Sequence, residues 1–151
     1  MMRLLFDTNV VSFWHGGEQR YARPLERLFR EVGKTRTTLY VSAVTVQELA
    51  SSAIGVSAWP AVSRFLSATR INMLPFCAGC ALAAARLRAQ GGPVSARRDE
   101  DEAVRAQWHH DAAIVGTAVH HGLDLVITTD RSLAARYGGL FREIRHLAPD
   151  N

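Results

Sequence analysis

Apolar positions along this chain fall into short continuous runs, separated by stretches in which they recur at helical spacing. Arg3-Leu4-Leu5-Phe6 is the first run and reads as a buried strand. Behind it Val10 to Trp14 has helical character, and Pro24 to Val32 sets Leu25, Leu28, Phe29 and Val32 on one face. Thr38 to Val41 is rich in β-formers. Thr45-Val46-Gln47-Glu48 has the T-x-x-E pattern of a capping box, which predicts a helix opening there and running through Leu49 and Ala50. Trp59-Pro60 starts another helix, with Val62, Phe65 and Leu66 as its stripe.

The second half repeats the alternation. Ile71 to Pro75 predicts a third strand, and Ala78 to Gln90 an alanine-rich helix stopped by Gly91-Gly92. Asp111 to His121 predicts a helix with Ile114, Val115 and Ala118 inward, closed by Gly122. Leu125 to Thr128 is uniformly apolar up to its last residue, as buried parallel strands are. Ser132 to Tyr137 is a short helix, and Phe141 to Leu147 alternates like an edge strand. Strands separated by helices imply right-handed crossovers. The expected fold class is α/β: three layers, α/β/α, around a central parallel sheet.

With 151 residues and no internal repeat or Pro/Gly linker, a single domain over 1–151 is expected. A composition of 48% hydrophobic and 21% charged residues excludes disordered and fibrous classes. The formal charge is +4, and 17 of the 18 basic residues are arginine, which suits an anionic partner such as nucleic acid. Asp7 interrupts the opening apolar run too early for a signal peptide, and no run reaches the length of a membrane span. A cytoplasmic protein without a membrane partner is the expectation.

Candidate chemistry collects where strands end. Leu4-Leu5-Phe6 runs into Asp7-Thr8-Asn9, and Val126-Ile127-Thr128 into Thr129-Asp130. The carboxyl ends of parallel strands share one edge, where ligands bind, so Asp7 and Asp130 belong to one neighbourhood. Glu48, in the helix after the second strand, falls near the same edge. Asp111 is read as opening the helix into the fourth strand, which topology alone leaves at the opposite edge. Each acid also has a plain structural reading, as an Asx-turn, an N-cap or a capping-box member. Gathered carboxylates repel one another, however, and a hard divalent cation with oxygen ligands resolves that conflict.

The chain at this point resembles the PIN-domain ribonucleases, in particular the VapC-type toxins of bacterial toxin–antitoxin pairs. The residues that carry the resemblance are Leu4-Leu5-Phe6-Asp7-Thr8-Asn9, then Tyr40-Val41-Ser42-Ala43-Val44-Thr45-Val46-Gln47-Glu48-Leu49. The third segment runs from Asp111-Ala112-Ala113-Ile114 to Leu125-Val126-Ile127-Thr128-Thr129-Asp130. The resemblance implies that Asp7, Glu48, Asp111 and Asp130 are the catalytic, metal-binding acids, and that the fold brings Asp111 to the others. It implies Thr8, Asn9 and Thr129 as supporting residues, Mg2+ (or Mn2+) as cofactor, and endonucleolytic hydrolysis of RNA phosphodiester bonds. A cognate antitoxin and a homodimer are the implied protein partners. Arg131, directly after Asp130, is the best-placed contact for an RNA phosphate.

Residues 91–110 depart from that pattern and read as an inserted charged loop or helix. Gly92-Pro93-Val94 makes Asp99 a rival to Asp111, although Glu100-Asp101-Glu102 cannot enter a core. Arg97, Arg98, Arg105 and Arg136 are further basic residues close in sequence to the acids. A haloacid-dehalogenase-like phosphatase is an alternative that also starts from an aspartate after the first strand, but it needs a second acid where this chain has Asn9. A non-catalytic RNA- or protein-binding module is another.

Cys77-Ala78-Gly79-Cys80 has the spacing of a redox dithiol at a helix start. Packing of both cysteines in an apolar helix is the simpler expectation, ahead of a zinc site with His109-His110, whose spacing fits no familiar pattern. His120 and His121 are expected at a helix C-terminus, where the dipole favours them. Phe13 and Trp14 offer apolar surface beside the acids, with core packing the simpler fate for each ring.

Overall fold

The computed structural model describes residues 1–51, 56–91 and 102–151. Five strands form one all-parallel sheet: β1 (Met2–Phe6), β2 (Thr37–Ser42), β3 (Ile71–Leu74), β4 (Leu125–Thr128) and β5 (Ile144–His146), in the order β3-β2-β1-β4-β5. The chain steps from β1 outward to β3, then crosses back to lay β4 on the other side of β1. That reversal opens a crevice between the carboxyl ends of β1 and β4, the usual ligand position in such sheets. Phe6 pairs with Ile127, and the Asp7 amide donates to the Ile127 carbonyl (2.9 Å), so Asp7 stands at its mouth.

Helices cover both faces: α1 (Thr8–Gly16), α2 (Gln19–Val32), α3 (Ala43–Ser51), α4 (Trp59–Ala68), α5 (Ala78–Gly91), α6 (Glu102–His120) and α7 (Arg131–Tyr137). Alternation along the central strands divides the core. Leu4, Phe6, Leu125 and Ile127 pack with Val10, Leu25, Leu28 and Leu66 on one side. Leu5 and Val126 face Ile114, Ala118 and Leu123 on the other. Outside α6, Ala84 and Leu87 of α5 meet Ala112, Val115, Leu133 and Tyr137. The three-layer parallel α/β fold expected from the sequence is therefore present.

Two local expectations are corrected. The capping box does not form: α3 starts at Ala43, where Ser42 Oγ accepts from the Val44 amide (3.2 Å), and Thr45 is buried inside the helix. Helix α6 begins at Glu102, so Asp111 lies in mid-helix and residues 102–110 of the charged segment are helical. Residues 92–101, with Arg97, Arg98 and the rival Asp99, lie outside the described residues. Phe13 and Trp14 are only half exposed: Phe13 stacks on Tyr21 (4.6 Å), and Trp14 packs on Phe29 (4.6 Å) and Phe65 (5.0 Å).

Helices α5 and α6 touch backbone to backbone at Gly116. A Cβ there would stand 2.7 Å from the Ala84 amide nitrogen and 2.8 Å from the Cys80 carbonyl oxygen. Gly116→Ala gains up to about 1 kcal/mol of helix propensity. It also forces two backbones apart, at about 1–3 kcal/mol. The expected outcome is net destabilisation, read as a lower urea midpoint with unchanged slope. A raised midpoint would show the helix pair to be looser than described.

Candidate active site

Asp7 caps the N-terminus of α1. Its Oδ1 accepts from the Thr8 amide (2.7 Å) and its Oδ2 from the Thr128 hydroxyl (2.7 Å), leaving the residue 5% exposed. Asp130 caps α7 in the same way, accepting from the amides of Ser132 (2.7 Å) and Leu133 (3.4 Å). The capping role read from sequence is thus real for both acids, and it coexists with membership of a cluster. Glu48 reaches in from the second turn of α3. One of its oxygens accepts from the Thr8 hydroxyl, and the other lies 3.2 Å from His110 Nδ1.

Asp111 is at the carboxyl edge with the other acids, against the expectation from topology alone. The C-terminus of α6 feeds the amino end of β4, so the helix runs back along the strand. The nine steps from Asp111 to His120 rise about 14 Å, while four residues of strand extend about 13 Å. Asp111 therefore stands level with the end of β4. Gln107 Nε2 donates to its Oδ1 (2.8 Å), and Oδ2 is buried without a hydrogen-bond partner, with Arg136 Nη1 3.7 Å away. Arg136 is held over the Trp108 ring at 4.4 Å.

Burial sets the protonation of the two inner acids. It pushes Asp7 up to about 6, helped by the negative charges of Glu48 and Asp130 against the lowering hydrogen bonds of Thr128 and Thr8. Burial likewise raises Asp111 to about 7, and the charges of Asp7 and Asp130 add to it, while Gln107 and Arg136 oppose. Each acid thus feels the charge of others. Strong desolvation among like charges in a crevice is the electrostatic signature of a functional site. The carboxylates do not yet converge as a ligand cage. Among the described residues, the group of three ligand atoms all within 4.8 Å is Cys77, Cys80 and His120.

The supporting residues are rearranged from expectation. Thr8 takes its place through Glu48. Thr128, not Thr129, supplies the hydroxyl on Asp7, and that same oxygen accepts from the Asp130 amide (3.0 Å). Thr129 contributes its carbonyl, 3.2 Å from His146 Nε2. Asn9 and Arg131 are exposed on the first turns of α1 and α7. Gln107, His110 and Arg136 have roles that the sequence did not assign. Their i−4, i−1 and α7 positions relative to Asp111 become visible only once α6 is known to begin upstream. His109 is drawn away to Arg88 Nη1 (2.9 Å), which excludes it from the acids and from the cysteines.

Cys80 is buried, as packing requires, but Cys77 is exposed and free, which corrects the expectation for that residue. No helix among the described residues is long and apolar enough to cross a membrane. The donor set at the strand ends is carboxylate oxygen throughout, with one buried oxygen that has no hydrogen bond, and that chemistry fits Mg2+ or Mn2+.

A pH dependence follows. Both inner acids bind their protons more tightly folded than unfolded, where an aspartate titrates near 3.8. Between about pH 4 and 7 the native state holds more protons, so metal-free stability falls as pH rises through that window and stays low above it. The loss is on the order of 3 kcal/mol per acid. Asp7→Asn keeps an N-cap and should shrink the fall between pH 4 and 7.5 by about half, as read from urea midpoints. A wild-type chain that grows more stable over this range would contradict the assignment.

Comparison with known proteins places the fold. No curated protein matches the chain by sequence. Among solved structures, the chain is similar to one in the VapBC2 complex of Rickettsia felis bound to a DNA fragment from their promoter. The TM-score is 0.63 at 16% identity, covering 96% of this chain and 98% of that one. It is similar to a chain of DNA-bound VapBC from Salmonella typhimurium, with a TM-score of 0.63, 21% identity, and coverage of 98% and 100%. A toxin–antitoxin complex from Klebsiella pneumoniae gives 0.59 and 20%, with 94% and 95% covered. These likenesses establish a shared fold. The family model described as PIN domain matches residues 4–139, a span that contains all four acids, and the chain belongs to the PIN domain family.

Proposed function

We propose that this chain is a VapC-type, metal-dependent endoribonuclease that hydrolyses RNA phosphodiester bonds, carried by one domain over residues 1–151. The observation that carries the reading is the buried Asp111 carboxylate, whose Oδ2 has no hydrogen bond and only a loose ion pair to Arg136 (3.7 Å), and whose proton affinity is raised by burial and by Asp7 and Asp130. An unsatisfied carboxylate oxygen costs stability unless a proton or cation meets it. Asp7, Glu48, Asp111 and Asp130 would hold Mg2+ or Mn2+. Such an ion, when bound, supplies a water of lowered pKa and offsets charge on the phosphate oxygens.

The chain's own residues supply the rest. Thr128 and the Thr8 amide fix both oxygens of Asp7, so its carboxylate cannot turn. Thr8 holds one oxygen of Glu48, and His110 Nδ1 lies 3.2 Å from the other, which makes Glu48 a candidate to take a proton from an attacking water. Arg131, exposed beside Asp130, is suited to a phosphate two-pronged contact. The phosphatase alternative lacks its second acid, since Asn9 stands in that position. A purely binding module gives no reason for two buried carboxylates whose proton affinities are raised by burial and by neighbouring acids.

The toxin–antitoxin part of the proposal rests on the likeness to VapBC complexes and on the groove of about 420 Å3 beside α1. Phe13, Trp14, Ala22, Leu25 and Phe29 line it, with Glu18 and Glu26 at the rim. An antitoxin with an apolar segment flanked by arginines would fit it, and an arginine reaching the crevice would pair with Asp7 in place of the metal. A homodimer and a cytoplasmic setting belong to the same reading.

Asp7→Asn and Asp130→Asn are each expected to weaken Mg2+ affinity and to slow RNA cleavage by about 100-fold or more, with native circular dichroism. Calorimetric titration and a labelled-RNA assay read the two effects, and unchanged values in both variants would remove the site. Expression of the wild type alone should arrest growth, with relief by the co-encoded small protein. Healthy growth with abundant folded wild-type protein would remove the toxin role and leave the nuclease to stand on the cleavage assay.

A further inference from the structure

The turn into α5 and the last turn of α6 bring three soft or borderline donors together, away from the acids. Cys77 Sγ and Cys80 Sγ are 3.6 Å apart as free thiols. Two sulfurs bound to one tetrahedral zinc at about 2.3 Å each would lie about 3.8 Å apart, nearly the separation already present. A ring nitrogen of His120 joins them, with all three ligand atoms within 4.8 Å of one another. The His120 ring lies so close against Gly79 that no Cβ fits there, so the glycine inside the C-x-x-C turn is what admits the imidazole.

We propose that Cys77, Cys80 and His120 form a zinc site, separate from the acidic crevice, that clamps the start of α5 to the end of α6. Two thiolates and an imidazole are a common zinc donor set, and a water would complete the tetrahedron. Binding releases both thiol protons to solvent, so affinity increases with pH. Loss of the Cys80 proton does not orphan its acceptor: Pro75 O, 3.6 Å from Cys80 Sγ, also lies 3.1 Å from His121 Nε2. Gly116 brings the two helix backbones into contact one turn before His120, so the clamp closes on elements that already touch.

The test uses the full chain under reductant, titrated with zinc against a chromophoric chelator and separately with cobalt(II). Four-coordinate thiolate-bound cobalt gives a sulfur charge-transfer band and intense visible bands. One equivalent with these bands is expected in the wild type and equally in the Asp7→Asn/Asp130→Asn double variant. Zinc at saturation should raise Tm by about 5 °C. Cys77→Ser, at an exposed position, should lower zinc affinity at least about 100-fold, more than loss of an outer-sphere partner costs. His120→Ala should weaken binding at least about tenfold and alter the visible bands. A reduced wild type without thiolate–cobalt bands overturns the site. So does His120→Ala with unchanged affinity and spectrum, or binding that disappears in the aspartate double variant and persists in Cys77→Ser.

Discussion

Confinement of like charges at the mouth of one crevice is the constraint on which the other features turn. Asp7 and Asp111 are almost wholly buried, and each is pushed toward its protonated form by burial first and by neighbouring carboxylates second. A fold would not keep such a pair unless something offsets the cost. Part of the offset is built in. Asp7 and Asp130 sit at the N-termini of α1 and α7, where unsatisfied amides and the helix dipole favour negative charge. A parallel sheet makes this possible, since every helix that follows a strand starts at the edge where the strand's last side chains emerge.

Cap and ligand are therefore not competing descriptions of the same aspartate. The amide contacts to Asp7 and Asp130 orient one side of each carboxylate and stabilise its charge. Asp111 has no helix N-terminus to lean on. It has Gln107 one turn before it and Arg136 at a distance too long for a good hydrogen bond. That asymmetry leaves burial as the leading influence on Asp111 and its second oxygen without a hydrogen bond.

What the sequence made legible follows the same physics. The strands that frame the crevice are short apolar runs, and an aspartate directly after such a run has few places to go, so Asp7 and Asp130 could be placed at one edge. Asp111 could not, because it reads as opening its helix, whereas that helix extends upstream through Glu102 to His110 behind a run of charged residues that reads as solvated. The T-x-x-E pattern misled because Ser42 supplies the cap, while Thr45 and Glu48 are committed to tertiary contacts. Thr129 is implied by the family resemblance, and the β1–β4 pairing is what turns the Thr128 hydroxyl onto Asp7. His120 lies 40 residues from Cys80, and no local pattern joins residues that meet only because α5 and α6 pack against one another.

Helix α6 ties these observations together. Near its middle it presents Asp111 to the crevice, and at its last residue it presents His120 to the cysteine pair, with Gly116 between them pressed onto the α5 backbone. A helix so seated moves as a unit, because interiors are close-packed and transmit displacement instead of absorbing it. A metal clamp at His120 would restrain the rotation of α6 about its axis, and through it the angle at which Asp111 enters the cluster. Asp111, a buried acid with no helix N-terminus to lean on, is thus the one whose position depends on how firmly α5 and α6 are joined.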